Sequence, residues 1–102
     1  MEVISGKDFE EKTKKGVVLV DFFANWCGPC RMMSPILESV AEELGDKVKI
    51  YKIDVDEDEK IARKFGIMSI PTMLIFANGE LKDKHIGLWS KTETIEALSK
   101  LL

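Results

Sequence analysis

The hydrophobic and polar positions along this 102-residue chain change their spacing several times, which predicts alternating strands and helices. Residues 17–24, VVLVDFFA, are almost continuously apolar and rich in β-branched and aromatic side chains. This pattern is typical of a central strand covered on both faces. Apolar residues then recur at helical spacing from Met32 to Leu44, and Gly45 follows as a stop signal. The front of the chain is therefore predicted to place a buried strand before an amphipathic helix.

The middle of the chain predicts a second strand and a short helix. Residues 48–55 have the composition of a strand. Asp56 followed by Glu59 is a capping pair, which predicts that a helix starts there. This helix would carry Ile61 on its apolar side and would end at Gly66.

The last third of the chain predicts a hairpin and a final helix. The Asn-Gly pair at 78–79 is a strong signal for a tight turn between two strands at 72–77 and 80–86. Ser90 and Glu93 form a capping box that opens the last helix. Its apolar side would carry Ile95, Leu98, Leu101 and Leu102.

The order of these elements predicts an α/β fold in one domain spanning residues 1–102. The first fifteen residues indicate a short edge strand at 2–4 and a polar helix that begins near Ser5. A strand, a helix and a second strand in succession favour two parallel strands joined by a right-handed crossover. Because the hairpin adds antiparallel pairing, we expect a mixed sheet with helices on both faces. A chain of this length supports a single core.

Composition and charge exclude several classes of function. With 45% apolar and 32% charged residues the chain is an ordinary globular domain. Its net charge of −3 argues against nucleic-acid binding, which needs a basic patch. No segment resembles a secretory leader, and no apolar stretch approaches the roughly 20 residues that span a bilayer. We therefore expect a cytoplasmic protein that binds neither nucleic acid nor membrane.

Both cysteines of the chain lie in the segment NWCGPC, residues 25–30, and their spacing allows three interpretations. A zinc site needs further ligands, and the only other soft ligand is His85, which is expected to be an exposed strand residue. A structural disulfide would close a very small loop, which stabilises least. A catalytic dithiol is the third interpretation, and it suits a reducing compartment best.

The predicted position of the cysteines favours the catalytic dithiol. They follow the carboxyl end of the central strand, where chemistry in open α/β sheets is concentrated. At the start of a helix Cys27 would be stabilised as a thiolate by unpaired N–H groups. Cys30, one turn later, could attack a mixed disulfide and should be less exposed than Cys27. Pro29 suits a first helical turn, and Gly28 leaves room for another chain to approach the sulfur.

The sequence also resembles a known family. WCGPC is the active-site motif of thioredoxins, and the segments VDFFANWCGPC, KIDVDED, GIMSIPTM and IGLWSK follow in that family's order. The resemblance implies the thioredoxin fold, with a central five-stranded mixed sheet flanked by four α-helices. It implies a dithiol–disulfide oxidoreductase that reduces protein disulfides, uses no cofactor or metal, and is re-reduced by a thioredoxin reductase. It further implies a monomer whose substrates include reductases and peroxidases.

The resemblance assigns roles to a buried charge and its neighbour. Cys27 would be the nucleophile and Cys30 the resolving cysteine. Asp21 matches the family's buried aspartate, the proton acceptor for the resolving thiol, and Lys52 matches the lysine paired with it. Desolvation should raise the pKa of Asp21, and a nearby charged Lys52 should partly lower it.

A second set of residues is implied to bind the substrate. SIPT matches the family's cis-proline loop, so Pro71 is expected to follow a cis bond, with the backbone of Ile70 offered to an extended substrate. The other substrate-binding positions are implied to be Trp26, Gly28, Pro29, Gly87 and Leu88.

The chain departs from the family pattern at two aromatic positions, and two alternative functions also stay open. Many thioredoxins have a tryptophan where this chain has Phe23, and the sequence assigns no role to Trp89. An oxidase or isomerase of the same fold usually has histidine between the cysteines, whereas Gly and Pro stand there in this chain. A binding subunit that does not use its thiols is the other alternative.

Overall fold

The computed structural model describes all 102 residues, folded around one five-stranded sheet. The strands are β1 (Glu2–Val3), β2 (Val17–Phe23), β3 (Val48–Asp54), β4 (Thr72–Ala77) and β5 (Glu80–Ile86). The helices are α1 (Phe9–Thr13), α2 (Gly28–Leu44), α3 (Glu59–Lys64) and α4 (Lys91–Ser99). Short 3-10 turns at Gly6–Asp8 and Gly45–Lys47 precede α1 and β3. The mixed sheet with four helices confirms the predicted fold class.

Strand β2 lies at the centre of the sheet, whose order is β1-β3-β2-β4-β5. It pairs in parallel with β3 and antiparallel with β4. All its residues before Phe23 are buried, as expected for an apolar strand covered on both faces. The element that leads into the two cysteines is therefore the best-protected strand of the molecule.

Each face of the sheet carries its own apolar core. Helices α2 and α4 cover one face, where the buried residues include Leu19, Met33, Leu37, Met73, Ile75, Trp89 and Leu98. Helices α1 and α3 cover the other, where they include Phe9, Val20, Phe22, Ile53, Ile61, Leu74 and Phe76. Alternate residues of β2 enter alternate cores, as the period of a strand requires.

The two edges of the sheet differ from its centre. Strand β1 has only two residues, and both are exposed. Strand β5 is exposed along almost its whole length and carries Glu80, Lys82, Asp83 and Lys84. Its pairing with β4 is irregular between Ile75 and Phe76. None of the helices combines the length and the apolar composition needed to cross a bilayer.

The predicted start of the short helix was wrong by two residues. Helix α3 begins after Asp58, not after Asp56, and the Asp58 side chain makes no cap bond. Its carboxylate instead accepts a hydrogen bond of 2.9 Å from the backbone N–H of Gly6, 52 residues away. A tertiary contact thus replaces the local cap that the sequence suggests. At α4 the Ser90 hydroxyl does accept the N–H of Glu93, as the capping box predicts.

Candidate active site

Cys27 and Cys30 form a disulfide at the start of α2, just beyond the carboxyl end of β2. Their Cα atoms are 5.3 Å apart, and no other cysteine exists in the chain. Cys27 is the N-cap residue, and its sulfur accepts the backbone N–H of Cys30 at 3.2 Å. The first turn of the helix therefore donates a backbone N–H to this sulfur, as the sequence predicts for a stabilised thiolate.

The two sulfur-bearing residues are almost equally buried, with 4% of Cys27 and 2% of Cys30 exposed. The expected difference in exposure between them is thus marginal in the oxidised protein. Pro29 lies exposed in the first turn of the helix. No atom lies within 4 Å of the position that a Cβ on Gly28 would occupy, so the space beside the disulfide is open at this residue.

The loop that precedes β4 packs against the disulfide. The Ile70–Pro71 peptide bond is cis. The carbonyl oxygen of Ile70 lies 3.8 Å from the sulfur of Cys27. On the other side of the loop, the N–H of Gly87 donates to the carbonyl of Pro71 at 2.8 Å. Gly87 has φ +91°, a conformation that favours glycine. The structure thus brings Ile70, Pro71 and Gly87 together beside the dithiol.

An apolar groove of about 350 Å³ runs beside this loop. It is lined by Trp26, Val55, Ile67, Met68, Ser69 and Ile70. Trp26 is 69% exposed and Met68 is 95% exposed, so neither contributes to the core. Gly87 and Leu88 lie outside this groove, although Leu88 is exposed near the loop. An exposed apolar surface of this kind is typical of a binding site for protein or peptide.

The position of Trp26 is fixed by Asp56, which the sequence indicated only as a helix cap. Its indole Nε1 donates a hydrogen bond of 2.8 Å to the carboxylate of Asp56. Asp56 follows β3, whereas Trp26 follows β2, and these two strands are parallel neighbours. Both residues therefore reach the same edge of the sheet. No local sequence pattern connects residues 30 positions apart, so only the strand order could have indicated this contact.

Asp21 is fully buried in β2, and neither of its carboxylate oxygens has a hydrogen-bond partner. It lies on the sheet face covered by α2 and α4, because it follows Leu19 at strand spacing. Burial raises the pKa of the Asp21 carboxyl from 3.8 to about 7, and the charge of Lys52 opposes that shift. The structure therefore agrees with the expected burial and with the expected direction of the pKa shift.

Lys52 lies directly opposite Asp21 in the β2–β3 register, but the two do not form an ion pair. The Lys52 ammonium donates instead to the hydroxyl of Ser34, at 2.6 Å. It also lies 4.4 Å from the centre of the Phe23 ring. A hydroxyl and an aromatic face thus hold the ammonium at a site next to the carboxylate. The two residues expected to pair are therefore cross-strand neighbours whose side chains do not contact each other directly.

A small cavity of about 120 Å³ opens between the disulfide and this lysine. It is lined by Phe23, Ala24, Asn25, Cys30, Arg31, Ser34 and Lys52. A water molecule occupies about 30 Å³ in the liquid, so the cavity has room for solvent beside Cys30 and Lys52. The guanidinium of Arg31 donates to the carbonyl of Asn25 at 2.8 Å.

His85 differs from the sequence-based expectation. It is partly buried, not exposed, and its ring stacks on Trp89. Trp89 in turn is buried among the core residues under α2 and α4. The tryptophan without an assigned role is therefore a core residue at the start of the last helix. No group of three or more His, Cys, Asp or Glu residues is arranged to hold a metal ion.

Comparison with known proteins gives consistent results. A family model described as Thioredoxin matches residues 1–100. The chain is 46% identical over 104 residues to a thioredoxin of Bacillus subtilis, covering 100% of both chains. It is 48% identical over 97 residues to a thioredoxin of Listeria monocytogenes, covering 95% of this chain and 94% of the relative.

Two solved structures have the same fold. Chloroplastic thioredoxin z is 32% identical, with a TM-score of 0.89 over 99% of this chain and 95% of the other. A mutant thioredoxin from Halobacterium salinarum is 32% identical, with a TM-score of 0.87 over 98% of this chain and 90% of the other. These matches confirm the fold predicted from the motifs.

Proposed function

The chain belongs to the thioredoxin family, and on that premise we propose how its two cysteines divide the reduction of protein disulfides. The class of activity follows from the family and from a CxxC pair at disulfide distance. The protein is a dithiol–disulfide oxidoreductase that reduces protein disulfides. The two alternative functions are not favoured. These were an oxidase or isomerase of the same fold and a binding subunit that does not use its thiols.

In the first step, the Cys27 thiolate attacks one sulfur of a substrate disulfide. A Cys27–substrate mixed disulfide forms, and the other substrate sulfur leaves as a thiolate that takes up a proton. The N–H of Cys30 supports this assignment, since it lies 3.2 Å from the Cys27 sulfur and would stabilise the negative charge of the attacking thiolate.

In the second step, Cys30 resolves the mixed disulfide. Its thiol loses a proton, and the resulting thiolate attacks the sulfur of Cys27. The second substrate sulfur leaves, and two electrons have passed to the substrate. Asp21 is the proton acceptor in this proposal; it does not itself line the solvent-sized cavity beside Cys30, but its cross-strand neighbour Lys52 does. A buried carboxyl with a pKa of about 7 is suited to this role, because a base works best near the ambient pH.

The substrate would lie extended across the Ile70–Pro71 loop. The Ile70 carbonyl, 3.8 Å from the reactive sulfur, is available to pair with the backbone of the substrate. Trp26, the open space beside Gly28 and Pro29, and the Gly87–Leu88 segment would border the substrate chain on its other sides. Apolar side chains of the substrate would enter the groove beside Met68.

The family implies disulfide-containing protein substrates and a reductase partner in general. More specifically, we propose reductases and peroxidases as substrates and a thioredoxin reductase as the electron donor. Cycling as a dithiol suits the cytoplasm, where thiols are kept reduced. The single sheet with a core on each face supports one domain over residues 1–102. We further propose that the protein acts as a monomer.

The observation that carries this proposal is the Cys27 sulfur, held between the N–H of Cys30 and the carbonyl of Ile70. The test is the reduction of insulin disulfides by dithiothreitol with wild type, Cys27→Ser and Cys30→Ser. Both variants should be inactive; when the reduced variants are instead mixed with insulin after dithiothreitol has been removed, only Cys30→Ser should accumulate a mixed disulfide with the substrate. Accumulation by Cys27→Ser instead would reverse the two roles.

A further inference from the structure

Ser34 is the one residue of the site whose contacts are explained neither by packing nor by substrate binding. It lies on α2, four residues after Cys30, and is partly buried. Its hydroxyl accepts the ammonium of Lys52 at 2.6 Å and lies 3.4 Å from the carbonyl oxygen of Cys30, to which it donates. A hydroxyl has one donor and two acceptor positions, so both contacts can exist together.

We propose that Ser34 is a positioning residue, whose hydroxyl anchors Lys52 so that the ammonium stands beside Asp21 without forming an ion pair with it. The inference rests on the proposed role of Asp21 and deepens it. The three residues come from three elements, α2, β3 and β2, that meet under the disulfide.

The geometry of Lys52 supports an anchor. The β2–β3 register places Lys52 directly across from Asp21, on the same face of the sheet. A buried carboxylate without a partner is costly and attracts any cation within reach. Its oxygens nevertheless remain without a hydrogen bond, while the ammonium contacts the hydroxyl of Ser34 and the ring face of Phe23. These two contacts compete successfully with the carboxylate.

The position of the ammonium determines what the carboxyl can do. A direct ion pair would stabilise the charged form of Asp21 and make it a weaker base. Without the lysine, burial alone would act on the carboxyl and its pKa would rise further. An ammonium held across from Asp21 without direct contact avoids both extremes, and Ser34 is one of the two groups that hold it there.

No other charge near Asp21 can replace this arrangement. Apart from burial, only Lys52 acts on the pKa of Asp21. The other titratable or charged residues to consider are Cys30 and Arg31, which line a cavity with Lys52, and His85 on β5. The cysteine is in the disulfide, and the arginine side chain is bound to the carbonyl of Asn25. His85 is separated from Asp21 by Met73 in the cross-strand row.

The test is a titration of the Asp21 carboxyl by carbon-13 NMR in the oxidised protein, in which the cysteines do not titrate. Ser34→Ala should release the ammonium towards Asp21, and the titration midpoint should fall by about one pH unit. Ser34→Thr keeps a hydroxyl and should restore the wild-type midpoint. Ser39→Ala, the same change on the same helix at a residue without contact to Lys52, is the matched control and should leave the midpoint unchanged.

Repeating the Ser34→Ala titration in a Lys52→Met protein separates the positioning of Lys52 from a general effect of the substitution on the helix. In a Lys52→Met protein there is no ammonium to position, so adding Ser34→Ala should not move the midpoint. An unchanged or higher midpoint in Ser34→Ala alone would overturn the proposal, and so would an equal fall in the Lys52→Met background. The titration needs no substrate, so its outcome is independent of the insulin assay that tests the proposed function.

Discussion

The imidazole of His85 and the indole of Trp89 stack face to face, with ring centroids 4.4 Å apart and planes inclined by 4°. The Nε2 atom of His85 is also hydrogen-bonded to the carbonyl of Leu88, at 2.8 Å. The His85 side chain thus packs on the buried tryptophan and also hydrogen-bonds the backbone segment before α4. The same segment includes Gly87, which holds the carbonyl of Pro71. The only histidine of the chain therefore contacts the segment that is hydrogen-bonded to the loop beside the active site.

The stack predicts that His85→Ala destabilises the protein by about 1 kcal/mol, the usual worth of an aromatic pair. His85→Phe keeps a ring over Trp89 and loses only the hydrogen bond to Leu88, so it should cost less. Urea unfolding at neutral pH measures both variants. Equal losses in the two would assign the whole effect to the hydrogen bond.

The burial of Asp21 predicts how stability depends on pH. Because its folded pKa is raised from 3.8 to about 7, the folded protein keeps a proton in this window that the unfolded chain has lost. Stability therefore falls as pH rises through the window, by roughly 4 kcal/mol at about 1.36 kcal/mol per pKa unit. Asp21→Asn lacks this loss, so its stability relative to wild type should rise until about pH 7 and then stay level.

Urea unfolding of the oxidised proteins between about pH 4 and about pH 9 measures this difference. The oxidised form is used because its cysteines add no titration of their own. Glu38→Gln, on the exposed side of α2, is the control for the general effect of removing one carboxylate. Parallel stability curves for wild type and Asp21→Asn would show that Asp21 has the same pKa in both states.

The proposed role of Asp21 as a proton acceptor predicts a defect in one step only. Asp21→Asn should form the mixed disulfide at the wild-type rate but resolve it about 100-fold or more slowly, the usual contribution of a general base. Rapid mixing with a substrate whose leaving group absorbs light separates the two steps. A slow first step with normal resolution would remove Asp21 from the second step.

The position of Cys27 at the N-cap of α2 predicts its reactivity in the reduced protein. Iodoacetamide should modify Cys27 first at neutral pH, because the N–H of Cys30 stabilises its thiolate. Mass spectrometry of short reactions identifies the modified residue. Cys30→Ser should react as fast as wild type and Cys27→Ser much more slowly; the reverse order would assign the activated thiol to Cys30.

Strong local signals in the sequence were sufficient to predict the strands and the location of the two cysteines between β2 and α2. The run at β2 is apolar for almost its whole length, and the Asn-Gly pair before β5 permits few structures other than a turn. The start of α3 was missed because two aspartates near it are equally good caps. The choice between them depends on Gly6, which is distant in sequence.

The candidate site shows the same division between local and distant information. That Asp21 is buried follows from its apolar neighbours in the strand. That Lys52 binds Ser34 could not be predicted, because the contact depends on how β3 and α2 pack across β2. The stacking of His85 on Trp89 likewise depends on the turn that separates β5 from α4. Sequence patterns indicate which polar residues are buried, whereas tertiary packing determines which side chains they contact.

The exposed edges of the sheet have a consequence for a protein that acts on the disulfides of other proteins. An open strand edge is a template for any other chain, including a second copy. Strand β1 is too short to pair over any length, and β5 presents charges of both signs along its free side. Foreign strands are thereby discouraged at both edges, whereas the Ile70 carbonyl, where we propose that the substrate pairs, lies 3.8 Å from the Cys27 sulfur. On that proposal, backbone pairing is favoured only where it leads to electron transfer.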